Sequence, residues 1–129
     1  MRLRILPLIG VFALIGGVAW AEDPMMNTYD NTVTTKNVAT GVTGTLLFNK
    51  DMTYTAKGAD KDGKPVAYQG TWAIKDDGKT ICLTPTLPPD VKDGPKPACS
   101  PFEEHKVGDS WQVTNDQNET YQVSIVAGR

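Results

Sequence analysis

The chain has a single imidazole, His105, and it stands in the run Glu103-Glu104-His105-Lys106. As a general base it would need a nucleophile to deprotonate and a third group to hold the ring. Spacing supplies neither, and a histidine following two acidic residues is equally what an exposed loop contains. The other groups that could do chemistry are two cysteines, some paired carboxylates, a methionine pair and a set of tyrosines and tryptophans.

Cys82 and Cys99 are the only cysteines. A redox pair usually holds its thiols about two residues apart, and zinc takes about four ligands, more than one histidine can complete. A structural disulfide fits best, closing a loop worth about 3 kcal/mol in chain entropy. Asp60-Lys61-Asp62-Gly63 and Asp76-Asp77-Gly78 have calcium-like chemistry, but neither continues with the alternating oxygen ligands and distal glutamate of a calcium loop. Both suit tight turns, where Asp and Gly accept left-handed backbone. Met25-Met26 offers two soft thioethers, too few for a copper site. Asn118-Glu119-Thr120 has the form of a glycan acceptor. No phosphate loop, serine elbow or zinc-binding histidine-glutamate helix occurs in the sequence. We expect no catalytic residue, no metal and no cofactor.

The aromatic side chains carry more. Tyr54, Tyr68, Trp72, Trp111 and Tyr121 combine an apolar body with a polar tip, and all fall on the same parity of their strands. In a barrel with a mouth they face a small apolar ligand. In a filled barrel they are core, and few strands leave little lumen.

The elements that must position them are strands. Apolar residues alternate with Thr, Gln and Ser, and turn residues recur about every eight to twelve positions, as in an all-β domain. One hairpin runs from Thr43 to Phe48, turns at 49–51, and returns from Met52 to Thr55. A second runs from Val66 to Ile74, turns at 75–79, and returns from Thr80 to Leu83. The third joins Ser110–Thr114 to Glu119–Val126. A further strand falls between Asn31 and Val38. One face collects Leu46, Phe48, Met52, Tyr54, Val66, Tyr68, Trp72, Ile74, Ile81, Leu83, Trp111, Val113, Tyr121, Val123 and Ile125; the other is hydroxylic. One-sided burial at period two means an antiparallel sheet over one core. We expect six to eight strands closed as a barrel, with a β-sandwich as the alternative. Between the cysteines, Pro85, Pro88, Pro89, Pro95 and Pro97 predict a long surface loop rather than a central strand.

The chain opens with Met1-Arg2-Leu3-Arg4, an apolar run from Ile5 to Val18, and Ala19-Trp20-Ala21. A basic start, apolar middle and small-x-small end read as a signal peptide over 1–21. The run is short of the ~20 apolar residues of a membrane span. The domain is then 22–129, periplasmic or secreted, with 22–30 a mobile lead and no membrane span after cleavage. The whole chain has a formal net charge of −2, and losing Arg2 and Arg4 makes it more acidic, which disfavours nucleic acid as a partner.

The run Gly44 to Thr55, followed by Gly70-Thr71-Trp72, resembles small exported lipocalin-like or avidin-like β-barrels, and is similar to exported proteins of Gram-negative bacteria. The resemblance spans about residues 40–126 and implies a barrel with a ligand cavity. We expect a non-enzymatic binding module for a small apolar ligand. The alternative is a protein-interaction or inhibitor module that offers the disulfide-closed proline-rich loop to an exported partner.

Overall fold

The computed structural model describes residues 23–60, 62–89 and 94–129; the expected signal peptide lies outside them. A short helix, α1 (Met26–Tyr29), precedes eight strands: β1 (Thr32–Asn37), β2 (Thr43–Phe48), β3 (Thr53–Ala59), β4 (Pro65–Lys75), β5 (Thr80–Thr86), β6 (Ala98–Pro101), β7 (Ser110–Thr114) and β8 (Thr120–Val126). They form one sheet in the order β6-β5-β4-β3-β2-β1-β8-β7, every neighbouring pair antiparallel. The two outer strands meet, so the sheet is a nearly closed barrel rather than a sandwich. No ladder joins β6 to β7. Instead Asp116 clasps Cys99: the Cys99 N–H donates to Asp116 Oδ1 and the Asp116 N–H donates to the Cys99 carbonyl, both at 2.9 Å.

The turns follow the residues that make them. Asp76, Asp77 and Gly78 adopt φ of 56°, 57° and 87° between β4 and β5, three successive left-handed residues of types that tolerate that conformation. Asp60 Oδ1 accepts the N–H groups of Asp62 and Lys64, both at 2.9 Å. These carboxylates serve as turn formers. Cys82 and Cys99 are directly opposed on β5 and β6 and form a disulfide, with Cα atoms 4.0 Å apart. Such a bond is compatible with an oxidising compartment. Among the described residues no helix is long and apolar enough to cross a membrane.

Gly70 sets a corner. It lies across from Tyr54 in the β3–β4 ladder, and a Cβ there would come within 2.2 Å of the Thr84 carbonyl oxygen and 2.9 Å of the Tyr54 ring. Only glycine lets β5 and the tyrosine approach together at that point.

Four expectations are corrected. Met52 is not an inward strand residue: it ends the β2–β3 turn at φ 71° and is exposed. Val66 is also exposed, because β4 there runs out beyond the covered interior. The proline-rich loop is shorter than expected, since β5 continues through Pro85 to Thr86 and β6 resumes at Ala98; proline is tolerated where a strand lies near its edge or end. Most consequentially, the expected mobile lead is structured. Asp23 accepts the Met25 N–H at 2.9 Å and the Tyr29 hydroxyl at 2.6 Å, and Met25 and Tyr29 are 2% and 5% exposed. The Arg129 guanidinium holds α1 from the other terminus, donating to the Tyr29 carbonyl and to Asn49 Oδ1, each at 2.9 Å. A helix of one turn has little stability of its own. Burial of these two side chains and the flanking bonds fix it.

Candidate functional site

Because strands alternate direction, the β2–β3 and β4–β5 turns share one end of the barrel with α1 and Arg129. The β1–β2, β3–β4 and β7–β8 turns and the proline-rich loop share the other. The interior differs between the two ends. At the α1 end, Trp72 lies 6.1 Å from Tyr29 and 6.1 Å from Phe48, centroid to centroid. Its indole N–H donates to the Asn49 carbonyl at 3.0 Å. It is buried and satisfied, and it is not part of the cavity wall.

Above this layer lies a cavity of about 510 Å³. Of the five aromatic residues singled out from the sequence, Tyr54, Tyr68, Trp111 and Tyr121 line it and Trp72 does not. Leu46, Val113 and Val123 add apolar wall, and Met25 closes it from the α1 side. Toward the loop end the lining turns polar, with Asn115, Gln117, Glu119 and Lys96. The proline-rich loop contributes Pro95 and Lys96 to this rim, and Gln117 Nε2 donates to the Pro97 carbonyl at 3.4 Å.

The phenols carry the electrostatic signature of the site. Tyr54 is 2% exposed, and burial, then the neighbouring Tyr68, pushes its phenol well above the ordinary range. Tyr54 and Tyr68 pack edge to face, 6.3 Å apart. Tyr68 is raised by burial, then by Tyr121 and Glu119. Tyr121 is raised by burial and then by the Glu119 charge, against a hydrogen bond with Asn37 that lowers it. These hydroxyls therefore stay protonated at neutral pH and act as hydrogen-bond donors and acceptors, not as phenolate nucleophiles. Glu119 is held at the rim, where its Oε1 accepts from Asn115 Nδ2 at 3.1 Å.

His105, considered from the sequence as a base or an exposed loop residue, is a wall of the same cavity. Its ring stacks on Trp111 with centroids 3.4 Å apart and planes 6° from parallel. Its side chain is 16% exposed, and Nδ1 lies 3.4 Å from Asp109 Oδ2. The Asp109 carboxyl sits below its ordinary range, chiefly through the Lys106 backbone N–H that donates to it and then through His105. Sequence reasoning missed Met25, Glu119 and Lys96 as parts of the lining. Met25 and Tyr29 do stand four apart, the spacing of one helix face, which was the available signal for α1. Among the described residues no three His, Cys, Asp or Glu side chains gather as a metal site.

The chain matches no protein-family model, no curated protein and no solved structure.

Proposed function

We propose that this is a periplasmic or secreted binding module that takes a small, mostly apolar ligand into its barrel without transforming it. The observation that carries this is the cavity of about 510 Å³ walled by aromatic and aliphatic side chains. Pockets for small molecules span about 300–1,000 Å³ and pair apolar walls with a few polar groups. The likeness to lipocalin-like and avidin-like barrels points the same way. So does the disulfide, which suits an oxidising compartment.

The position of Trp111 in the wall gives the test. Titrating the exported protein with an uncharged apolar fluorescent probe such as N-phenyl-1-naphthylamine should quench its indole emission saturably, and Trp111→Phe should remove most of that quenching. Filling the chamber with Val123→Phe should weaken binding at least tenfold. Saturable binding untouched by Val123→Phe, or none at all, would overturn the proposal.

A second reading has its own support. The proline-rich loop is stapled across its base by the disulfide and held again near Cys99 by the Gln117–Pro97 contact. Its exposed residues Pro95, Lys96 and Pro97 form a surface whose ordering cost on contact with an exported protein partner is reduced. Deleting residues 87–96 would abolish capture of such a partner and leave probe binding in the chamber.

A further inference from the structure

We infer that the chamber selects ligands with a cationic head, namely apolar amines, and that Glu119 receives the ammonium group between the rings of Tyr68 and Tyr121. The inference rests on the binding proposal and specifies its ligand class.

Three observations carry it. The first is charge. Over its whole length the lining holds two carboxylates, Glu119 at the rim and Glu103 just past β6 at the α1 end, against one ammonium, Lys96 at the rim. The chamber as a whole thus has a net negative lining, with Glu119 the carboxylate that stands where a ligand enters. The second is order. The Glu119 carboxylate is fixed by Asn115, so little freedom is lost when it takes a donor. Lys96 extends from the loop on a flexible stem that can carry its charge outward into water. The third is the aromatic content. Tyr54, Tyr68, Trp111 and Tyr121 all line the chamber. The π-face of such a ring attracts an ammonium within about 6 Å, most strongly where water is excluded. The phenols of Tyr68 and Tyr121 report the sign of the field, since Glu119 helps hold both protonated. The same negative potential that resists a phenolate favours a cation. Beyond the rim the walls are apolar, with Leu46, Val113 and Val123 positioned to cover a hydrocarbon tail.

A matched series separates the charge from the cavity. Octylamine, octan-1-ol and octanoate share one tail and differ in head charge at pH 7. Calorimetric titration of the exported protein should rank them in that order, with octylamine about tenfold tighter than octan-1-ol. Glu119→Gln keeps an oxygen for the Asn115 contact and removes the charge. It should bring octylamine down to the affinity of octan-1-ol and leave octan-1-ol unchanged. Lys96→Ala should preserve the ranking. If octan-1-ol binds as well as octylamine, or Glu119→Gln leaves the ranking intact, the amine assignment falls and the apolar chamber stands. If none of the three binds, both fall together.

Discussion

The barrel interior holds two aromatic groups with opposite fates. Trp72 packs against Tyr29 and Phe48 at the α1 end, with the polar atoms of Trp72 and Tyr29 satisfied, and Phe48 also forms part of the chamber wall. Tyr68, Tyr121 and Trp111 stand at the same strand parity yet line open space, Trp111 with the His105 ring stacked on one face. The strands treat both groups alike. What differs is the cover: Met25 and Tyr29, at the start and end of α1, close one end, and among the described residues no helix does so at the other. An inward aromatic residue becomes core only where some element closes over it. The strand pattern alone cannot say which will be closed.

The strongest way to press on this contrast is alkali. Tyr29, Tyr54, Tyr68 and Tyr121 are all the tyrosines of the chain, and each is held above the ordinary value of 10.0. A phenol raised on folding contributes stability that is complete below that value. The contribution is lost as pH rises through the folded-state value. Absorbance at 295 nm should therefore show almost no tyrosinate at pH 10. Tyr68 and Tyr121, in the chamber wall, should ionise first. Tyr29 and Tyr54 should ionise only together with loss of the whole fold. Independent ionisation of all four at their ordinary value would break the contrast.

Next in size is Trp72→Ala, which should cost about 3–5 kcal/mol in urea unfolding, as for other large buried aromatics. Trp111→Ala, on the wall of an existing void, should cost clearly less, and equal costs would mean the two groups are equally packed. Replacing both Cys82 and Cys99 by alanine should cost about 3 kcal/mol and loosen the loop end more than the α1 end, as read by hydrogen exchange. The smallest effect on stability belongs to Tyr121→Phe, about 0.5 kcal/mol or less for a half-buried hydroxyl at the chamber rim. The same change should weaken octylamine binding measurably.

Much of the fold was legible because alternation and turn chemistry are local. Asp76-Asp77-Gly78 and Asn115 to Asn118 specify their turns within a few residues, and the strands between them could be placed from parity. The disulfide followed from counting. What could not be read was nonlocal. The one-turn α1 leaves only the Met25–Tyr29 spacing as a local signal, and it is held by Asp23, Asn49 and Arg129, which are scattered along the chain. Met52 keeps strand parity but is taken up by a turn. In the site, four of the five aromatic residues were recognisable by parity, whereas Trp72 differs from them through its contacts with Tyr29, Phe48 and Asn49. Glu119 and Lys96 reach the rim because a turn and a loop meet there, and no spacing in the sequence encodes that meeting.

The clasp between Cys99 and Asp116 also bears on what the barrel cannot do. Cys99 turns its amide toward β7, so by alternation the other β6-edge positions facing outward are 97 and 101. Both are proline and have no amide hydrogen to give. On its β6 border the break in the hydrogen-bonded ring thus offers a passing chain no amide hydrogen beyond the one Cys99 already gives to Asp116, which blunts strand addition along that border.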